Sequence, residues 1–272
     1  MHLSDCHLGF IGFGSMAQIL FKMVTLAKLV SPSKINFIQR DAHKMRENEA
    51  KFGLTSTSLK TLAEKSDLLL LCVKPQQAEK VLLDLKALQL DPSKMIISIL
   101  AGVKHSYYRK FLKNPLLRSI PNIASEVFMG MTLLAPGPNA SAELQSLGKM
   151  LFSCMGEVMQ VPEELMDISS AIAGSGPAFV FRLIESAAKA GEKEGLSYED
   201  ALKLAAQAFM GAGKLVLKSG GEIQTLINKI ATPKGTTEAG LKTMDHLELS
   251  KQFQEVFLAS AMRSKEFSQE FH

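Results

Sequence analysis

The chain has 272 residues, 46% of them hydrophobic, enough to bury a sizeable core in one large or two smaller domains and too apolar for a disordered or fibrous protein. Its 31 Lys and Arg against 27 Asp and Glu leave a net charge of +4 with no dense basic run, which argues against a nucleic-acid partner and suits a phosphate-bearing small molecule. The three cysteines, Cys6, Cys72 and Cys154, are far apart and lack metal-ligand spacing, so free thiols in a reducing compartment are expected and a metal site is not.

Met1 to His7 carries Asp5 and no basic segment before a long apolar stretch, so it does not resemble a secretory signal. No run approaches the roughly 18 apolar residues of a membrane helix, and a soluble, cytoplasmic chain without a membrane partner is expected. Leu8 to Ala17 is an apolar run that breaks into two glycines and then enters a helical pattern, the order of first strand, tight turn and helix in a nucleotide-binding unit. Gly12 can take torsions closed to other residues, Gly14 lets a pyrophosphate approach the backbone, and Ala17 lets the helix pack close on the strand. Ile11, Gly12, Phe13, Gly14, Ser15 and Met16 are therefore candidate cofactor contacts, with the phosphates on a helix N-terminus.

Lys34 to Asp41 reads as a second strand whose polar end, Gln39 and Arg40, would meet the adenosine ribose. A guanidinium suits a 2′-phosphate, so NADPH is the expected cofactor, with NADH open if Asp41 takes the ribose instead. The continuous apolar run Asp67 to Val73 is what a parallel strand covered on both faces looks like. It ends in Val73-Lys74-Pro75, and the strand Lys94 to Leu100 ends in Ala101-Gly102. Both are turns at the carboxyl edge, where ligands of such sheets bind. A further strand, Leu116 to Pro121, ends at Asn122, an amide placed to meet cofactor or substrate, or else an ordinary turn residue. Alternating strands and helices imply a doubly wound α/β sheet over residues 1–162.

From Glu163 onward the strands disappear and helical spacing takes over, giving an all-helical domain over residues 163–272 whose extra apolar faces suggest burial against another subunit. Two glycine-rich breaks are expected to open helices. One is Ala173 to Phe179, with Pro177 near a first helical position beside Ser175 and Gly176. The other is Ala231 to Leu241, where the Thr236 and Thr237 hydroxyls join free N–H groups in a carboxylate site or serve as helix caps.

Taken in order, Gly9 to Ala17, Val73-Lys74-Pro75, Ala101-Gly102-Val103, Pro121-Asn122, Gly174 to Phe179 and Pro233 to Thr237 resemble the Δ1-pyrroline-5-carboxylate reductases over almost the whole chain. That resemblance implies NAD(P)H-dependent reduction of a small cyclic imino acid to proline, the last step of proline synthesis, in a homodimer or a larger assembly. It implies a substrate loop at Thr232, Gly235, Thr236 and Thr237, with Thr237 hydrogen-bonding the ring nitrogen and Ser175 and Gly176 lining the same pocket. The family usually has Thr-Pro where Ile123-Ala124 stands and a glycine where Lys234 stands. Those departures keep two alternatives open, a reductase of a related imine and a catalytically impaired dinucleotide-binding paralogue. A hydroxyacid dehydrogenase of the same plan would need Lys189 or Lys193 as its catalytic lysine, and neither lies beside a convincing glycine or Asn partner.

Overall fold

A computed structural model describes residues 2–271. The strands are β1 (Leu8–Ile11), β2 (Ile35–Ile38), β3 (Thr55–Ser56), β4 (Leu68–Leu71), β5 (Met95–Ser98), β6 (Leu116–Ile120), β7 (Gly130–Pro136) and β8 (Gly156–Gln160). They form one sheet in the order β3-β2-β1-β4-β5-β6-β7-β8. Helices α1 (Ser15–Leu26), α2 (Ala42–Phe52), α3 (Leu59–Lys65), α4 (Ala78–Ala87), α5 (His105–Tyr108) and α6 (Ala142–Ser153) link them. Every pair is parallel except β6 and β7, which are antiparallel. Residues 121–129 between those two hold only a short 3₁₀ turn, and a parallel return needs a crossover of about a dozen residues or more.

Strands β1, β4 and β5 are buried along their whole length, as the apolar runs require. Their side chains alternate between two cores. Leu68 and Leu70 pack with Phe10, Ile97 and the inner faces of α1 and α6, whereas Leu69 and Leu71 pack with Ile96, Leu82 of α4 and Tyr108 of α5.

Beyond the sheet come α7 (Met166–Ser170), a π-helical turn (Ala171–Ser175), α8 (Gly176–Lys193), α9 (Tyr198–Ser219), α10 (Ile223–Ile230), α11 (Thr236–His246) and α12 (Leu249–Gln269). Packing divides the chain into two compact units. One runs to Ser175 and resumes at Ser260, and the other is Gly176–Ala259. The change from strands to helices falls near Pro162, but α7 stays with the sheet because Met166 is buried against Ile120, Leu133 and Val161. Within Gly176–Ala259 the buried apolar side chains are Ala188, Ala201 and Ala205, while large ones stand exposed, Leu217 by 79%. The α8–α9 pair approaches closely on small residues. A Cβ at Gly191 would lie 3.0 Å from that of Ala201.

The helix start expected within Ala173 to Phe179 is corrected in one respect: α8 does begin there, at Gly176, but it follows α7 and the π turn with no loop between them. Pro177 sits inside this helix, where it has no N–H for the carbonyl four residues back and its ring crowds that group. A π turn at that place relieves the crowding. The carbonyl in question is that of Ala173, and the Asn122 Nδ2 donates to it at 2.8 Å.

Glu163, just after β8, reaches back to the sheet. Its Oε1 accepts from Arg118 Nη1 at 2.6 Å and from the His105 backbone N–H at 2.8 Å. The His105 ring donates Nε2–H to the Ala135 carbonyl at 2.9 Å. Burial pushes the Glu163 carboxyl up, but the His105 N–H and the Arg118 guanidinium outweigh it and hold the group below the usual carboxylate range. Burial, working against the pull of Glu163, holds the His105 ring below its ordinary value. Both shifts favour the fold at neutral pH. The His105 contribution begins to be lost below about 6.5 and the Glu163 contribution below about 4.3, each as the pH falls toward the folded-state value. Thermal stability is therefore expected to be level between about pH 7 and pH 8 and to decline with acid. Glu163→Gln leaves Arg118, 3% exposed, without its counter-charge and is expected to cost about 3 kcal/mol in chemical denaturation. A melting temperature that rises between pH 7 and pH 5, or an unchanged denaturation midpoint, would contradict this account.

Candidate functional site

The turn after β1 is tied to both neighbouring strands. The Gly12 N–H donates to the Ile38 carbonyl at 2.9 Å and the Ile11 carbonyl accepts from the Cys72 N–H at 2.8 Å. Gly12 has φ 92°, and a Cβ there would lie 2.7 Å from the Cys72 carbonyl oxygen, so only glycine fits. At Gly14 the Cβ position is open, with nothing within 4 Å. Gly14 is also the N-cap of α1 and supplies no side-chain cap. The N–H groups of Gly14, Ser15, Met16 and Ala17 consequently have no partner among the described residues. An uncapped N-terminus with room beside it is what a pyrophosphate requires.

Of the other turn candidates, Phe13 and Ile11 direct their side chains into the core. Phe13 packs 4.7 Å from the Phe37 ring and 5.6 Å from that of Phe52, so these two can offer a ligand backbone only. Sequence reasoning missed the amide network behind the turn. Asn48, buried on α2, donates from Nδ2 to Gln39 Oε1 at 2.8 Å, and Gln18 Nε2 donates to Asn48 Oδ1 and to the Phe13 carbonyl, both at 3.2 Å. The available signal was a polar residue on the apolar Met45–Phe52 stripe of α2.

At the end of β2, Asp41 is engaged as the cap of α2, accepting from the backbone N–H of His43 at 3.0 Å and of Lys44 at 3.1 Å. The Lys44 N–H in particular holds its carboxyl below the usual range. Arg40 beside it is exposed and pairs with no other described residue. Val73 and Pro75 are half-buried and Lys74 exposed at the end of β4. After β5 the turn carries Gly102 at φ 76°. It is steadied from below, where Ser98 Oγ accepts from the Leu100 N–H at 3.2 Å and shares a 2.6 Å hydrogen bond with the Tyr108 hydroxyl. Burial pushes that phenol up to about 12.

Asn122 is directed inward. It is 7% exposed, and besides Ala173 it holds the Met131 N–H on its Oδ1 at 3.3 Å, joining β6 to β7 and to the π turn. Ser175, in that turn, is 3.3 Å from Ser260 Oγ. Gly176 is buried at the start of α8.

The second glycine break does open a helix, α11, with Gly235 as an N-cap that has no side chain to offer. The Lys234 N–H donates to Glu238 Oε2 at 2.6 Å and the Gly235 N–H to the Thr232 carbonyl at 2.9 Å. The donors left without partners among the described residues are therefore the Thr236, Thr237 and Glu238 N–H groups, beside the Thr236 and Thr237 hydroxyls. Lys234 lies in the left-handed region at φ 60°, a conformation glycine would take without strain. On α8, Lys189 is held by Glu185 at 2.8 Å on an exposed face.

A donor-lined helix start after β1, at the carboxyl edge of a mainly parallel sheet, is where dinucleotides are received, and it puts this molecule in the class of NAD(P)-dependent oxidoreductases. Residues 7–102 match the family model described as NADP oxidoreductase, coenzyme F420-dependent, and residues 163–267 match that for pyrroline-5-carboxylate reductase dimerisation. The chain is 36% identical to a pyrroline-5-carboxylate reductase of Methanosarcina acetivorans over 95% of its own length and 97% of the relative's. It is 34% identical to pyrroline-5-carboxylate reductase 1 of Bacillus spizizenii over 96% and 89%. The crystal structure of a Plasmodium falciparum pyrroline carboxylate reductase with NADP bound superposes with a TM-score of 0.88 at 27% identity, covering 97% of this chain and 99% of that one. The chain belongs to the pyrroline-5-carboxylate reductase family.

The two glycines of the first turn should respond differently to substitution. Gly14→Ala is expected to leave the melting temperature near its original value and to weaken NADPH binding by about tenfold, the loss of roughly one charge-assisted hydrogen bond. Gly12→Ala should lose both binding and stability, because its Cβ meets backbone rather than a movable side chain. Equal effects of the two substitutions in calorimetry and cofactor titration would refute this division of roles.

Proposed function

We propose that the protein reduces 1-pyrroline-5-carboxylate to L-proline at the expense of NADPH, the last step of proline synthesis. The observation that carries this reading is the coincidence, in one chain, of two uncapped helix N-termini. The α1 end suits a pyrophosphate and the α11 end, with its two free hydroxyls, suits a carboxylate. The names of the near-full-length relatives supply the substrate.

Bound NADPH supplies the hydride. The N–H groups of Thr236, Thr237 and Glu238 receive the substrate carboxylate, and the Thr237 hydroxyl hydrogen-bonds the ring nitrogen. The protonated imine is already an electrophile. Hydride adds to C5, the C=N π electrons return to nitrogen, and no strong side-chain acid is needed. Orientation and charge placement are the protein's contribution. Ser175 and Gly176 complete the pocket wall. Cofactor contacts from Val73, Lys74, Pro75, Ala101 and Gly102 belong to the same proposal, as does the assignment of residues 1–162 to cofactor and 163–272 to substrate and dimer.

The working species is a homodimer in the cytoplasm. A helical unit whose buried apolar groups are three alanines, among many exposed leucines and methionines, gains its core from a second copy. No helix among the described residues is long and apolar enough to cross a membrane.

The decisive assay is oxidation of NADPH on addition of the five-membered imine. Cofactor binding without turnover on any cyclic imine would select the impaired-paralogue alternative instead. Thr237→Ala is expected to lower kcat by about tenfold with the affinity for NADPH unchanged, the loss of one hydrogen bond to the reacting nitrogen, and undiminished turnover would remove Thr237 from the mechanism. Arg40→Ala is expected to raise the KM for NADPH by about tenfold or more through loss of a charged contact to the 2′-phosphate, with that for NADH little changed. Parallel effects on both cofactors would show that Arg40 does not read the phosphate.

A further inference from the structure

The last turns of α12 form part of the sheet-containing unit and follow an ordered set of contacts along it. Ser260 meets Ser175 of the π turn at 3.3 Å, and Ser264 Oγ donates to Asp167 Oδ1 at 2.6 Å. Farther along, the Phe267 ring lies against the turn after β5. A Cβ built on Gly102 would be 2.6 Å from its Cδ1. Phe267 in turn is pinned by Phe271, edge to face at 5.5 Å, and Phe271 by Tyr107 at 5.4 Å in the buried cluster that also holds Val103.

We propose that Phe267 is a positioning residue for hydride transfer, acting through the Ala101–Gly102 turn, which its ring holds at a fixed height above the carboxyl edge. The proposal rests on the reading that this turn receives the nicotinamide half of the cofactor. The sheet order supports that placement. β1 and β2 carry the pyrophosphate and adenosine ends, so the chain of the cofactor continues over β4 toward β5. A glycine at positive φ is the least constrained residue in such a turn, and its torsions are set by what packs on it. Ser98, itself bonded to Tyr108, holds the Leu100 N–H, and at Gly102 the Phe267 ring is the nearest neighbour of the Cβ position. Removing the ring frees the turn on the side from which the nicotinamide is supported, while the glycine turn of β1 keeps its own hydrogen bonds to β2 and β4. The sequence signal was a Phe pair four residues apart at the end of the helical pattern, Phe267 in the last turn of α12 and Phe271 two residues beyond it.

The test compares NADPH with adenosine 2′,5′-bisphosphate, which carries the phosphates of the adenosine half but has no nicotinamide to reach β5. With the full-length protein, Phe267→Ala is expected to weaken NADPH binding by about tenfold and to lower kcat by a similar factor, since small misplacements are costly in hydride transfer. Its affinity for adenosine 2′,5′-bisphosphate should stay within about twofold of the original, as expected of a site the ring does not touch. Phe267→Leu, which refills most of the space, should restore NADPH binding and kcat. Equal weakening of both ligands would mean a merely structural role and overturn the proposal, as would NADPH affinity and kcat that ignore the substitution. An unsubstituted protein that binds NADPH but reduces no imine would instead count against the proposed reaction, with the two-ligand comparison still deciding the role of Phe267.

Discussion

Every helix begins with N–H groups that its own hydrogen bonds cannot satisfy, and the rest of this structure depends on where those groups are left open. Most α-helix starts in the first unit that offer a polar N-cap use it. Asp41 caps α2, Ser58 caps α3 and Ser141 caps α6. The start of α1 has Gly14 in the capping position and open space beside it, and that of α11 has Gly235. Glycine in the capping position leaves the first N–H groups of both helices without a side-chain partner, which is the condition for an anion from outside the chain to be received there. The Gly12 torsion and its ties to β2 and β4 aim the first of them.

The same accounting explains features that otherwise look unrelated. Pro177 deprives the Ala173 carbonyl of its helical donor, a π turn takes up the crowding, and Asn122 supplies the missing N–H. Arg118 lies in the middle of a buried strand and demands a counter-charge, which Glu163 provides at the point where the strands end. Between Gly176 and Ala259 little apolar side-chain surface is buried in the single chain. Three buried alanines are little to set against the entropy of ordering five helical segments, and large apolar side chains stand exposed along them.

Much of this was legible in the sequence. The apolar runs at Leu8 and Leu68, the glycines at 12 and 14, and the loss of alternation after Pro162 carry the parallel sheet and the helical remainder, because full burial and helix period leave strong patterns. Failures fell where a residue type serves two geometries. Pro177 after glycine suits a helix start as well as a π turn inside a continuous helix, and only the tertiary partner Asn122 decides between them. Asn122 itself looks like a ligand contact until its neighbours are known. Glu163 and Phe267 reach Arg118 and Gly102 across large sequence separations, and Asn48 reaches Gln39 from the next element, so spacing can mark these residues as unusual but does not name their partners. At the second site the block Pro233 to Thr237 was legible, but that Glu238 and Thr232 take the Lys234 and Gly235 N–H groups was not.

The central claim is that the open end of α1 holds the cofactor's pyrophosphate. A crystal structure of the NADPH complex tests it most directly. The account predicts pyrophosphate oxygens within hydrogen-bonding distance of the backbone N–H groups of Gly14, Ser15 and Met16, and a complex in which those groups face only water, with the phosphates elsewhere on the sheet edge, would contradict it.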